Sequence, residues 1–317
     1  MTVLAFLPVS LFLLALLYLD SFKLVRPRVL IELIVIGCLA AAASLLLNYW
    51  LLRLGVSRDT LTRYAAPAVE EILKAIPIIV MLRDRQIGFL IDAAICGFAV
   101  GTGFALAENL YFVSSLGAAP PALWIVRGFG TAIMHGGTTA IMAMMAKAFG
   151  ARLAAVGIVI AFALHSLFNH FVLSPAMSTL VIILVLPPLM VLVFAQSERH
   201  VRQWLGTGFD LDADLLKAMN SGEFADSGAG RYLQSLREHF DGAVLADMLC
   251  YLRLQSELSL RVKGILMLRE TGFPVKKDAE VKEKLTELRY LRGSMGKIGE
   301  LALAPLLRDV WQLHMLE

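Results

Sequence analysis

The sequence predicts an all-α protein, a polytopic membrane helix bundle of about seven transmembrane helices followed by a C-terminal helical cytoplasmic domain. Three observations carry this expectation. The 317 residues are 58% hydrophobic with a mean hydropathy of +0.71, more apolar than a soluble domain needs. Charge is unevenly placed: residues 1–196 hold 12 Lys/Arg and 8 Asp/Glu, whereas residues 197–317 hold 17 and 18. Apolar runs of membrane length recur through the first part, while charges interleave with Leu, Val and Ile at three- and four-residue spacing in the second. The expected division is a membrane-embedded domain over 1–196 and a polar, mainly helical tail over 197–317.

The apolar runs fall at about 2–19, 29–52, 65–82, 87–113, 122–146, 153–173 and 177–195. The first has neither a basic start nor a small-residue cleavage site and reads as a retained anchor. The second contains Glu32 but is long enough to span. Glycines at 97, 101 and 103, and again at 128, 130, 136 and 137, give the fourth and fifth runs small surfaces that let neighbouring helices approach. Lys23, Arg26 and Arg28, then Arg83 and Arg85, then Lys147 and Arg152, fall on one side if all seven runs cross. The positive-inside rule makes that side cytoplasmic, with the N-terminus outside and the tail inside. Arg53, Arg58 and Arg63 oppose this orientation. In the tail, Gly and Pro274 separate AGRYLQSLREHF, VLADMLCYLRLQSELSLRVKGILMLRE and AEVKEKLTELRYLRG, which read as a small helical bundle. KKDAEVKEKL balances its lysines with acids and reads as a solvated surface. Homo-oligomer contact through the tail and regulation of substrate access are both open.

Net charge is +3 with a calculated pI of 8.8, and no long basic block exists to follow a phosphate backbone, so nucleic acid is not an expected partner. Cys38, Cys96 and Cys250 are isolated and form neither a CxxC pair nor a disulfide framework.

Against this apolar background Glu70, Glu71 and Lys74 stand out, because an ionised group at the centre of a membrane helix costs about 2.5–3.5 kcal/mol on insertion scales. Alternating helix directions and a 1.5 Å rise place Glu70, Glu71, Glu108, His135, His165 and Asn169 at mid-depth or just outside it, where they can converge. Glu70 and Lys74 share a helix face, as do His165 and Asn169, whereas Glu71 points about 100° from Glu70. Asp92 lies about 24 Å along its helix from Glu108 and belongs to the other end. Arg127 either snorkels to the headgroups or counters a site carboxylate.

Carboxylates and imidazoles around a wet cavity can deprotonate and aim a water, stabilise the carbonyl oxygen and protonate a leaving amine. A Zn²⁺ held by two His and one Glu would supply two of these at once. HExxH and GxSxG are absent, Asp92 is the single aspartate well inside a span, and Ser166 points away from His165. Two other classes remain: a proton- or ion-coupled transporter using the same acids, and a noncatalytic scaffold whose polar cluster fixes helix packing.

EEILK at 70–74, GFAVGTGFALAENLYF at 97–112, RGFGTAIMHGGTTA around His135 and HSLFN at 165–169 together resemble the PrsW family of intramembrane proteases, distantly similar to the CAAX-prenyl endopeptidase and bacteriocin-immunity superfamily. The resemblance covers about residues 65–175. It implies an endopeptidase of the inner (plasma) membrane acting on a membrane-associated protein in the lipid bilayer. Glu70 or Glu71 would activate water and Glu108 would be a second acidic member. His135 would be a metal ligand or water-positioning group, and His165 with Asn169 would complete the water site or bind the oxyanion. Glu108, His135 and His165 form the metal set this suggests, with Zn²⁺ the ion in view and metal dependence left open. His170 departs from the motif and is assigned to the surface or to gating.

Overall fold

The computed structural model describes residues 3–116, 119–150, 153–170, 172–275, 279–307 and 310–316, and every regular element among them is helical. Arg152 and the start of the KKDAEVKEKL segment, residues 276–278, lie outside the described residues. Two compact units emerge, residues 1–198 and 199–317.

In the first unit α1 is Val3–Leu19, α2 is Pro27–Arg53, α3 is Ala66–Arg83 and α4 is Leu90–Leu116. Next come α5, Ala132–Phe149, α6, Ala154–Asn169, and α7, Pro175–Ser221, which runs on past residue 198. Helices α2, α4 and α7 are long and apolar enough to cross a membrane, and α1 and α6 are shorter apolar helices. Within its 18 residues α3 carries Glu70, Glu71, Lys74 and Arg83, which lower its hydropathy. The first three of those charges belong to the site.

The start of α2 follows from Pro27, whose fixed φ suits a first helical turn and whose missing N–H would have no partner there. Helix α4 begins where the Asp92 carboxylate accepts from the Gly88 and Phe89 N–H groups, each at 2.7 Å. Asp92 thus has a local structural use at the far end of the helix from Glu108. Every residue of α4 from Ile91 to Ala105 is buried, and α1, α2, α3 and α5 pack around it. Close approach depends on missing side chains. A Cβ on Gly101 would lie 2.3 Å from the His135 carbonyl oxygen, and one on Gly103 would lie 1.9 Å from that of Ile34. Gly101 therefore sets the α4–α5 separation that lets Glu108 meet His135.

Two π-helical stretches, Leu61–Ala65 before α3 and Val126–Thr131 before α5, lead directly into the two helices that carry Glu70, Glu71 and His135. Such widened turns re-aim the residues that follow them and concentrate at functional sites. The first is clamped from α6: Ser166 Oγ donates to the Arg63 carbonyl at 2.6 Å, and Asn169 Nδ2 donates to that of Thr62 at 3.0 Å.

Asp20, in the turn after α1, is buried and accepts from the Leu24 N–H at 2.7 Å. Burial pushes its carboxyl up from 3.8 to about 6. The folded chain thus holds a proton that the unfolded chain releases between those values. Stability from this group is full below 3.8 and is lost as pH rises through about 6. Asp20→Asn keeps an acceptor for Leu24 but carries no charge. Melting of the two proteins from pH 4 to 8 is expected to show the variant gaining on the native chain up to about pH 6 and holding that gain above it.

The second unit contains α8, Gly228–Ser235, α9, Gly242–Glu270, and α10, Ala279–Leu303, with a break in α10 where Gly296 takes φ 65°. Its core joins Leu233 of α8 to Met248, Leu252 and Leu258 of α9 and Val281, Leu285 and Leu288 of α10. Lys263 is buried there against Asp212 at 2.6 Å and the Gly208 carbonyl at 2.8 Å.

Candidate active site

The site forms where α3, α4, α5 and α6 meet, and it is built around Glu71. Its Oε1 accepts from Lys74 Nζ at 2.6 Å, from His165 Nδ1 at 2.8 Å and from Thr138 Oγ1 at 3.3 Å. Both Lys74 and Glu71 have side chains almost wholly removed from solvent, at 0% and 1% exposure. A carboxylate so engaged holds its neighbours in place. Its own lone pairs are spent on an ammonium, an imidazole and a hydroxyl.

The consequence for His165 is a fixed tautomer. With the Nδ1 proton on Glu71, Nε2 keeps its lone pair and faces Glu70 Oε2 at 3.8 Å. A carboxylate on one imidazole nitrogen and an electron pair on the other is the arrangement that supports a metal-ligating histidine. His135 stands edge-on to His165, ring centres 4.8 Å apart. Its Nδ1 is 3.2 Å from Lys74 Nζ and its Nε2 is 3.2 Å from Glu108 Oε2. The ammonium has no lone pair, so Nδ1 accepts and the Nε2 proton points at Glu108.

Glu108 is the more open carboxylate, with 26% of its side chain exposed. Arg127 Nη2 meets its Oε2 at 3.0 Å, and Arg127 Nε donates to Asn109 Oδ1 at 2.9 Å. Asn109 in turn donates from Nδ2 to the Ala5 carbonyl at 2.6 Å, which ties the arrangement to α1. The guanidinium also lies 3.7 Å above the Phe112 ring. Of the two readings for Arg127, the structure selects the carboxylate partner.

The structure thus brings Glu70, Glu71, Glu108, His135 and His165 together with Lys74. Asn169 is drawn instead to the π turn at Thr62, and His170 bonds the Ser166 carbonyl at 2.7 Å and Tyr64 Oη at 3.0 Å. Two supporting residues escaped the sequence reading. Thr138 is three residues from His135, a spacing that shares a helix face and could have indicated it. Asn109 adjoins Glu108, but adjacent helical residues point apart, so only the position of α1 reveals its use.

One donor atom each from Glu70, His135 and His165 lie within 4.8 Å of one another, and all three residues are buried. An acid and two imidazoles match the donor chemistry of a zinc site, and His165 already has its orienting carboxylate. The set therefore fits a metal ion such as Zn²⁺. For His135 to join it, one of its two contacts, Nδ1 with Lys74 or Nε2 with Glu108, must give way to the ion.

Apolar membrane-length helices around a buried acid–imidazole centre define a membrane-embedded helical protein with the equipment for water activation. A family model described as PrsW family intramembrane metalloprotease matches residues 26–195, which is more than half of the chain. The chain belongs to the PrsW family and is an intramembrane protease, an enzyme whose substrate is a protein within a membrane. No curated protein and no solved structure matches it.

Proposed function

We propose that the chain is an endopeptidase that hydrolyses a peptide bond of a membrane-associated protein with metal assistance, and that its catalytic core lies at about residues 65–175. The observation that supports this most is the meeting of three glutamates and two histidines from four helices in an otherwise apolar interior. Glu70, His135 and His165 would hold the ion. When bound, a Zn²⁺ would lower the pKa of a water and polarise a substrate carbonyl.

The chain's own groups do the rest. Glu108, open to the substrate side and kept in place by Arg127, takes a proton from water as the new C–O bond forms. It returns that proton to the leaving nitrogen as the C–N bond breaks. Glu71 fixes the His165 tautomer, and Lys74 balances the charge of Glu71. Arg127 holds Glu108 toward the reacting carbonyl and, with Asn109, keeps it from turning away.

A second reading rests on one contact: Lys74 against His135 Nδ1 leaves the Nε2–H aimed at Glu108. On that reading Glu70 activates water directly and no ion is needed. Metal content separates the two. Purified chain is expected to carry about one equivalent of zinc, and Glu70→Gln and His165→Ala are expected to lower metal affinity by at least about tenfold, the smallest loss found when only a ligand's orienting partner is removed. Full activity in metal-free protein would establish the glutamate-only reading instead.

The seven runs of the sequence are all proposed to cross the bilayer, with the N-terminus outside and the C-terminal helical domain in the cytoplasm of the inner membrane. The basic residues at 23, 26, 28, 83, 85 and 147 support this orientation.

A further inference from the structure

Between α2 and α4 lies a groove of about 310 Å³, and Glu70 and Glu108 form part of its lining. Ala41, Ala42 and Ala107 leave the space, and Phe104, Tyr111 and Phe112 supply aromatic wall. The volume is at the lower end for a ligand pocket, and an α-helix about 10–12 Å across does not enter it. An extended chain can lay one side chain there. Asn48, also on the lining, has its side chain against Glu70, and its Oδ1 is buried without a hydrogen-bond partner.

These facts answer a problem that any peptidase in a bilayer faces. A substrate helix must unwind before a carbonyl can be attacked, and in hydrocarbon each freed N–H lacks water to bond. An unpaired acceptor beside the reacting carboxylates is placed to receive one. Resting on the peptidase reading, we propose that the α2–α4 groove is a substrate subsite: it receives an aliphatic or aromatic side chain next to the scissile bond, while Asn48 Oδ1 accepts a substrate backbone N–H.

The continuity of the groove with Glu70 and Glu108 identifies its occupant as part of the substrate. Its alanine floor and aromatic wall favour an apolar side chain. Position, therefore, is what makes it a specificity site.

The test uses the full chain in vesicles and single-span peptides that differ at one residue beside the cleaved bond: Gly, Ala, Leu, Phe, Lys or Asp. The native chain is expected to prefer Leu and Phe over Gly and Ala by about tenfold or more in kcat/KM, the scale of filling an apolar pocket. Ala42→Phe, at an exposed position, and Ala107→Leu each fill the groove. Both are expected to remove that preference, with cleavage of Gly and Ala peptides held within about twofold. Asn48→Leu is expected to raise KM for every peptide about tenfold without changing their ranking, as expected for one lost hydrogen bond to a buried peptide group. Melting curves identify any variant that fails to fold, and either filling variant suffices alone.

Cleavage by the native chain without side-chain preference would overturn the subsite, as would an equal loss on all peptides in the filling variants. Absence of cleavage of any peptide by the folded native chain would instead remove the peptidase reading beneath it.

Discussion

Glu108→Gln is expected to lower turnover by about 10²–10⁴-fold, the range for loss of a positioned proton-transfer group, while the protein stays folded and retains its metal. The amide keeps the size of the carboxyl and can still accept from Arg127, so packing around Asn109 and Phe112 has little reason to change. It cannot take a proton from water. Because Glu108 lies outside the Glu70–His135–His165 donor set, zinc content separates it from those residues: the loss in Glu108→Gln should fall on kcat with metal intact, whereas that in Glu70→Gln should follow metal affinity. A Glu108→Gln protein that cleaves within about threefold of the native rate would remove this proton-transfer assignment.

Glu71→Ala is expected to destabilise the first unit by about 3–5 kcal/mol, because Lys74 would then carry an unpaired charge where no water reaches it. The Lys74–Glu71 contact is 2.6 Å long and both side chains are fully enclosed. Thr138 and His165 would lose their shared acceptor as well. Pairing the change with Lys74→Met removes the stranded charge, and melting should recover most of the loss. Activity should not recover, since His165 would still lack the carboxylate that fixes its tautomer. Equal melting of Glu71→Ala and the double variant would contradict this account of the pair.

The contrast between these two glutamates shows what sequence could and could not convey. EEILK in an apolar run marks a polar site, and helical spacing separates the directions of Glu70 and Glu71. Which one is tied up depends on Lys74, His165 and Thr138, whose approach is set by three different helices. His135 and Glu108 were legible as participants because each is a polar side chain in an apolar helix. Their contact was not, because it follows from the absence of a Cβ at Gly101 and from the π turn before α5. The helical class was plain from periodicity, and the family from four short motifs in order. Asn169 illustrates the limit of spacing: it shares a face with His165, yet the widened turn at Leu61–Ala65 offers a carbonyl that captures its amide.

The central claim is that this cluster delivers water to a peptide bond, and isotope labelling tests it most directly. Purified chain in vesicles, given a single-span peptide in H₂¹⁸O, is expected to release two fragments with ¹⁸O in the new carboxyl terminus. Parallel reactions with folded Glu70→Gln, Glu108→Gln, His135→Ala and His165→Ala should show that product reduced by about 10²-fold or more. Undiminished ¹⁸O-labelled product in all four folded variants would contradict the assignment of hydrolysis to these residues.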